Sequence, residues 1–186
     1  KKMKIGILTF HCAINFGAVL QAFGLFQYLR SLGHDVSVID YRPDYLVKPY
    51  RLFYSKRING GSRSRKLRFF FLLREILSLP IRYKRERLFS SFVKDYLHLS
   101  PLRLDDKAND FDAFVFGSDQ IWNRWLTQSD DVFWGNASAF EGKKRIAYAA
   151  SAGSVKALEE DAIAHLERFD AVSVREKSLA DYLNTF

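Results

Sequence analysis

The amino-acid sequence predicts an α/β domain of three layers with a doubly wound, mainly parallel sheet. Short apolar segments alternate along the chain with segments of helical periodicity, which is the pattern of βαβ units. The chain has 186 residues, of which 48% are hydrophobic, and this is enough to bury one substantial core. Its single cysteine, Cys12, excludes an intrachain disulfide and a zinc site of several cysteines, so a reducing compartment is expected.

The N-terminal segment predicts one βαβ unit. Residues 4–10 (KIGILTF) and 35–40 (DVSVID) are expected to form two strands. Between them, apolar residues recur at helical spacing, and Gly33 is placed to end that helix. The recurring residues are Ala18, Ala22, Leu25, Leu29 and Leu32. A crossover helix of this kind makes the two strands parallel, with a right-handed connection.

A basic region of irregular and helical character is expected at about residues 45–103. Prolines and the cluster Asn-Gly-Gly-Ser at residues 59–62 indicate an irregular connection over residues 41–65. Two helices should follow, one over residues 66–78 that stops at Pro80 and one over about 83–97. We interpret this region as an insert in the fold.

The sheet is expected to resume at residues 111–116 (FDAFVF), 145–149 (RIAYA) and 171–174 (AVSV), which makes five strands in all. A helix between the last two strands has an apolar inner face. That face consists of Ala157, Leu158, Ala162 and Leu166. A final helix is expected over residues 176–183, and the chain stops inside it. We therefore expect residues 1–186 to be an amino-terminal domain whose carboxy-terminal partner domain is absent.

The sequence shows neither a signal peptide nor a membrane span. Residues 1–10 lack the long apolar core and small-residue cleavage site of a secretory signal. The longest apolar run, residues 69–73, is far shorter than the about 20 residues that cross a bilayer. A cytoplasmic location is expected.

Polar residues follow three of the predicted strands and are candidates for one ligand site. They are Asn15 and Gly17 at the start of the first helix, Ser118 and Asp119 after FDAFVF, and Arg175 after the last strand. In an open parallel sheet, the loops at the carboxyl ends of the strands converge on one edge, where such folds bind ligands. The three clusters are therefore expected to belong to one active site.

Three further residues are expected near this edge. Ser151 and Gly153 lie in a loop of small residues, which either admits a ligand phosphate closely or makes an ordinary tight turn. His11 follows the first strand and is expected to line the site. We interpret its neighbour Cys12 as a packing residue, because the sequence places no group to orient it as a nucleophile.

Four segments, in this order, resemble the polysaccharide pyruvyl transferase family: TFHCAINFGAVLQAFGLFQYL, FDAFVFGSDQIWN, RIAYAASAGS and FDAVSVREKSL. The resemblance runs from Lys4 to about Leu183 and weakens through residues 45–84. It implies one Rossmann-like half of a GT-B-like, two-domain enzyme. It also implies transfer of the enolpyruvyl carbons of phosphoenolpyruvate onto two hydroxyls of a glycan, which gives a pyruvate ketal and phosphate. Neither a metal nor a separate cofactor is expected, and the acceptor sugar and oligomeric state stay open.

The resemblance also implies roles for the candidate residues. Asn15 would cap the first helix, and Gly17 would let the backbone approach the donor. Asp119 would orient or deprotonate an acceptor hydroxyl; the alternative is a helix cap or Asx turn with Trp122 packed as a lid. Arg175, carried by a strand with Val172 and Val174 facing inward, would bind the donor anion. The alternative for Arg175 is a surface pair with Glu176 or Asp170.

The positive charge is concentrated in the basic region. The chain carries a net charge of +8, whereas residues 51–103 contain fourteen Lys and Arg against three acidic residues, a net of +11. This region has three interpretations: a solvated face, a surface for anionic lipid or a lipid-linked acceptor, and a nucleic-acid patch. Nucleic acid is disfavoured because no recognised binding module accompanies the charge.

Two rival functions remain open from the sequence. One is a GT-B-type glycosyltransferase half that uses a nucleotide sugar. The other is a basic module that docks on membranes or nucleic acid through residues 51–103.

Overall fold

The computed structural model describes residues 1–50, 65–153, 158 and 160–185. The strands are β1 (Lys4–Leu8), β2 (Asp35–Ile39), β3 (Leu99–Ser100), β4 (Ala113–Asp119), β5 (Lys144–Ala150) and β6 (Ala171–Val174). The α-helices are α1 (Phe16–Ser31), α2 (Asp44–Val47), α3 (Arg65–Tyr96), α4 (Arg124–Thr127), α5 (Glu160–Leu166) and α6 (Lys177–Leu183). Short 3-10 helices span Lys48–Tyr50, Asp131–Trp134 and Ser138–Phe140. The Asn-Gly-Gly-Ser cluster at residues 59–62 and Ala157, which was predicted to lie on a helix, are outside the described residues.

The six strands form one parallel sheet in the order β3-β2-β1-β4-β5-β6. From β1 the chain moves outward through α1 to β2 and through α3 to β3. It then returns to β4, beside β1, and moves outward in the other direction to β5 and β6. The direction therefore reverses between β1 and β4, which is the switch point where open α/β sheets bind ligands. The prediction of a doubly wound parallel sheet is confirmed.

The two faces of the sheet carry separate hydrophobic clusters because successive side chains of a strand point to opposite sides. In β4, Val115 belongs to the cluster formed with α1 and α3. Phe114 and Phe116 belong to the other cluster, where both rings contact Phe140 and where residues of α5 and α6 also pack. Helices thus cover both faces, which gives the three expected layers.

The helix α1 begins and ends where the sequence indicates. The Asn15 side chain accepts a hydrogen bond from the Ala18 N–H at 3.2 Å and caps the helix. At the other end, the Gly33 N–H donates to the Arg30 carbonyl at 2.9 Å. The start of α1 is thereby held at the carboxyl edge of the sheet.

The prediction of two helices separated at Pro80 is wrong. The helix α3 is continuous over 32 residues and contains Pro80. A proline inside a helix removes one backbone hydrogen bond and costs about 3 kcal/mol. The turns after Pro80 are anchored, however, because Phe89 and Val93 are buried in the cluster with α1. This tertiary packing outweighs the local break.

A sixth strand, β3, was not expected from the sequence. It pairs with β2 through Val38 with Leu99 and Ile39 with Ser100. Two residues are too few to show the alternation that identifies a strand. Since β3 follows α3, the basic region supplies a crossover helix and an edge strand, and its carboxyl-terminal part is not an insert in the sheet.

The expectation that Val172 faces inward is also wrong. Val172 is 40% exposed, whereas Val174 packs against the core. The reason is that β6 is an edge strand, paired with β5 on one side, and only part of it is covered.

Candidate functional site

A cavity of about 550 Å³ opens at the carboxyl edge of the sheet, at the switch point between β1 and β4. Its walls come from the loop after β1, the start of α1, the residues after β4 and residues 45–50. Asn15 and Asp119 both line it, because Asn15 follows β1 and Asp119 is the last residue of the neighbouring parallel strand β4. The wall also contains Lys48, Tyr50 and Trp125, of which Trp125 is 83% exposed. The cavity therefore presents a cation, a carboxylate and aromatic side chains together.

The backbone has an unusual conformation where β4 reaches this cavity. The peptide bond between Gly117 and Ser118 is cis, and the φ angles of Gly117 and Asp119 are 113° and 102°. A positive φ is uncommon in a residue other than glycine, and such outliers concentrate at functional sites. Hydrogen bonds hold Asp119 in place: its Oδ1 accepts from the Gln120 N–H at 2.8 Å, and its carbonyl accepts from the Ser151 N–H at 3.0 Å.

The environment of Asp119 suits a proton acceptor. Burial raises the pKa of Asp119 above its usual range, while the Gln120 N–H, the charge of Arg175 and a hydrogen bond with Gln21 act in the opposite direction. A carboxylate with a raised pKa binds a proton more strongly, which favours general-base chemistry on a hydroxyl. Arg175 does not line the cavity itself. It is linked to Asp119 through Ser151, whose N–H donates to the Asp119 carbonyl and whose Oγ accepts from Arg175 Nη2 at 2.8 Å.

Ser118 forms hydrogen bonds that fix the backbone next to Asp119. Its side chain is buried, its Oγ donates to Gln21 Oε1 at 3.1 Å, and its carbonyl accepts from Thr9 Oγ1 at 2.7 Å. Gln21 on α1 therefore contacts both Ser118 and Asp119. We did not predict Gln21 as a site residue. The signal was present, because Gln21 is a polar residue beside the apolar face of α1.

Arg175 lies in a compact polar network at the end of β6. Its Nη2 donates to Ser151 Oγ at 2.8 Å, and its Nε donates to Glu176 Oε1 at 3.2 Å. Ser151 is fully buried; its Oγ also donates to Glu176 Oε1 at 2.6 Å and accepts from the Gly153 N–H at 3.0 Å. Arg175 thus pairs with Glu176, as one alternative expected, and still presents a partly exposed guanidinium at the sheet edge.

The predicted glycines occupy different surroundings. Gly17 is exposed in the first turn of α1, and a Cβ there would meet only Asn15 Oδ1, at 3.2 Å. Gly153 is enclosed, since a Cβ there would lie 2.7 Å from Asn123 Nδ2 and 3.1 Å from Gln120 Oε1. Gly153 therefore lets the loops after β4 and β5 approach each other.

Trp122 is a core residue and not a lid. Its ring is buried and stacks on Trp134 with ring centroids 4.6 Å apart and an interplanar angle of 3°. Its Nε1 donates to the Phe133 carbonyl at 3.3 Å. The helix cap at this loop is instead Asn123, whose side chain accepts from the Trp125 N–H at 3.1 Å.

His11 was expected to line the site, but it is fully buried and is not among the residues that line this cavity. Its Nε2 lies 2.9 Å from Asp40 Oδ1, and its Nδ1 lies 3.3 Å from the Thr9 carbonyl. His11 therefore ties the loop after β1 to the end of β2. Burial raises the pKa of the neighbouring Cys12 thiol to about 11, which agrees with a packing role for that residue.

We expect Asp40→Asn to destabilise the protein by about 1 kcal/mol at pH 7. Hydrogen bonds from His11 and Arg42 lower the pKa of Asp40 to about 2, from 3.8, and partial exposure reduces the resulting energy. The pKa of this carboxyl is lower in the folded protein than in the unfolded chain, so the ionised group stabilises the fold when the pH is above the unfolded pKa. This stabilisation is lost as the pH falls toward the folded pKa. The stability difference between wild type and variant should therefore vanish between pH 4 and pH 2.

Urea denaturation of wild type and variant over this pH range measures the difference. Asp181→Asn, on the exposed surface of α6, is the matched control and should leave stability unchanged at each pH. If the difference in unfolding free energy between wild type and Asp40→Asn did not change with pH, the ionised carboxylate would not be its cause.

Among the described residues, no group of three or more His, Cys, Asp and Glu side chains could hold a metal ion. A family model described as "Polysaccharide pyruvyl transferase" matches residues 15–186, which include Asn15, Asp119 and Arg175. The comparisons with curated proteins and with solved structures give no match.

Proposed function

The chain belongs to the polysaccharide pyruvyl transferase family, and on this premise we propose that its switch-point cavity binds phosphoenolpyruvate for transfer to a glycan. The product would be a pyruvate ketal on the sugar, with release of phosphate. The observation that supports this proposal is that Asn15 and Asp119 line one cavity, while Ser151 connects the Asp119 backbone to the Arg175 guanidinium by hydrogen bonds. In the arrangement that we propose, this edge forms one wall of a cleft between two domains.

The donor requires fixed positive groups, because phosphoenolpyruvate carries both a phosphate and a carboxylate. Arg175 offers a planar guanidinium already oriented by Ser151 and Glu176, a geometry that suits either anion. Lys48 lies on the cavity wall and supplies a second cation. The N–H groups in the first turn of α1 point toward the same edge and favour a negative charge there.

The proposed chemistry has two steps. The oxygen of one acceptor hydroxyl adds to C2 of phosphoenolpyruvate, C3 takes up a proton from solvent, and Asp119 accepts the hydroxyl proton and later returns it to solvent. The second hydroxyl then attacks C2, the C2–O bond to phosphate breaks with its electron pair going to the phosphate oxygen, and the proton of the second hydroxyl passes to the departing phosphate, which closes the ketal. Arg175 and Lys48 would stabilise the negative charge on the departing phosphate.

Phosphate release tests the proposed activity. The protein, at the full length that its gene encodes, is incubated with phosphoenolpyruvate and glycan acceptors that carry free neighbouring hydroxyl pairs. We expect phosphate release that depends on the acceptor, together with a mass increase of the glycan corresponding to pyruvyl ketal formation. Absence of both with every acceptor would contradict the proposal.

Direct binding separates this proposal from a nucleotide-sugar enzyme. Trp125 is exposed at the cavity, so its fluorescence should change when a ligand enters. We expect saturable changes with phosphoenolpyruvate that are lost in Trp125→Phe while calorimetry still detects binding. Saturation by nucleotide sugars alone would favour the rival glycosyltransferase.

We expect Arg175→Lys to raise the KM for phosphoenolpyruvate by roughly tenfold or more. Lysine keeps the charge but not the planar set of N–H donors, and a hydrogen bond to a charged group contributes about 1.5–3 kcal/mol. Arg103→Lys is the matched control, because Arg103 also pairs with a carboxylate, that of Asp105, but follows the edge strand β3 and does not line the cavity. Steady-state kinetics at varied donor concentration measure the effect. Equal KM values in the two variants would exclude Arg175 from donor binding.

A further inference from the structure

The helix α3 exposes a stripe of large apolar side chains. Leu73, Leu77, Ile81 and Leu88 are separated by four or seven residues, so they lie along one face of the helix. All four are exposed, Ile81 by 74% and Leu88 by 61%. The adjacent face of the helix contributes Phe89 and Val93 to the core, and the four stripe residues do not belong to that core cluster.

This stripe continues into an apolar groove between α3 and the start of α1. The groove has a volume of about 440 Å³, and its lining is apolar except for Lys84 and Arg85. The residues that line it are Phe16, Val19, Leu20, Ile81, Lys84, Arg85, Leu88, Phe89 and Phe92. Phe16 directly follows Asn15, so the groove begins beside the candidate active site. A continuous exposed apolar surface, such as the stripe and the groove form together, is uncommon on soluble monomers and usually marks a binding site for a protein or a membrane.

The charged groups around the stripe have one sign. Lys84 lies within the stripe, and Arg74, Arg85 and Arg87 flank it; all four are exposed. Among the described side chains of residues 73–88 the one acidic residue is Glu86, which lies on the other side of the helix by its spacing from the stripe. An apolar face bordered by cations is the pattern of a helix that lies in the interface of an anionic membrane.

We propose that this face of α3, together with the start of α1, docks on an anionic lipid surface. Ile81 and Leu88 enter the boundary between headgroups and acyl chains, and Arg74, Lys84, Arg85 and Arg87 bind lipid phosphates. The described helices include none that is long and apolar enough to span a membrane. A second copy of the chain fits this face less well, because pairing would bring the same cations together. Nucleic acid would leave the apolar stripe uncovered.

Vesicle binding tests the proposal and does not depend on the proposed catalytic function. The protein is sedimented with phosphatidylcholine vesicles that either contain or lack phosphatidylglycerol. We expect tight binding when the anionic lipid is present, weak binding when it is absent, and loss of affinity as salt is raised.

Two sets of variants separate the apolar and the charged contributions. Ile81→Asp and Leu88→Asp should each lower the affinity by at least about tenfold, because burial of one such side chain contributes roughly 1.5–3 kcal/mol. Lys84→Gln combined with Arg85→Gln should lower it by about 25-fold, at about 1 kcal/mol per cation. Lys2→Gln combined with Lys144→Gln removes the same net charge from exposed sites outside α3 and should leave vesicle binding nearly unchanged.

Three results would overturn the proposal. The first is the absence of binding to either vesicle. The second is self-association that Ile81→Asp abolishes, with no vesicle binding, which would identify a second copy as the occupant. The third is binding to single-stranded DNA that survives Ile81→Asp and is lost in the double Gln variant, again with no vesicle binding.

Discussion

Gly117→Ala should destabilise the protein by more than about 3 kcal/mol. A Cβ at this position would lie 2.3 Å from the Tyr148 carbonyl oxygen and 3.3 Å from its carbon, both of them backbone atoms. Those atoms cannot move away freely, because Gly117 is paired with Tyr148 in the centre of the sheet. The φ of 113° adds a further cost for any residue with a side chain. Chemical denaturation measures the loss, and an unfolded product would agree with it.

Two other glycines provide controls that separate the two causes. Gly142 also has a positive φ, 68°, but a Cβ there would have no neighbour within 4 Å, so Gly142→Ala should cost only about 1–2 kcal/mol. Gly24 lies inside α1 with similarly open space, and Gly24→Ala should stabilise by about 0.5–1 kcal/mol. If Gly117→Ala were no worse than Gly142→Ala, close approach of β5 would not be the reason for this glycine.

Asp119→Asn should lower kcat by about 10²–10⁴-fold, the usual contribution of a positioned general base, without loss of stability. Burial raises the pKa of Asp119, so ionising this carboxyl costs more free energy in the folded protein than in the unfolded chain. Asparagine removes that charge, can still accept the Gln120 hydrogen bond through its side-chain oxygen, and tolerates a positive φ. The variant should therefore combine this loss of kcat with an unchanged or higher Tm.

The pH dependence of the wild-type enzyme gives a second measurement on Asp119. Because the folded pKa lies above 3.8, kcat/KM should fall as the pH decreases through that raised value. Asp35→Asn, exposed at the amino edge of β2, is the control and should preserve both rate and pH profile. An Asp119→Asn enzyme with normal kcat would show that the carboxylate only positions the loop.

The sheet could be predicted because its strands are apolar and its crossover helices have clear periodicity. Ala18, Ala22 and Leu25 identify α1 by spacing alone, and all three are buried. The two errors, at Pro80 and at β3, have physical causes that cannot be recognised from the residues nearby in the sequence. Pro80 remains helical because of packing further along α3, and β3 is too short to show alternation.

The sequence was sufficient to predict which loops form the candidate site. It was not sufficient to predict the side-chain contacts within that site. Parallel strands place Asn15 and Asp119 at one edge, and this follows from topology. The contact between His11 and Asp40 joins residues that are far apart in sequence. Gln21 lies on one face of α1, and its contact with Ser118 depends on how that helix packs against the sheet. The backbone conformation of Asp119 depends on the hydrogen bonds that surround it.

Both borders of the sheet are short, since β3 has two residues and β6 has four. A parallel sheet rich in apolar side chains would otherwise offer unpaired backbone groups as a template on which further strands could add. Because the two edge strands are short, they offer few backbone groups to which strands of another molecule could add, and this limits fibril-like growth from the folded protein. Aggregation at high concentration should therefore proceed through helical surfaces, and mild detergent should suppress it.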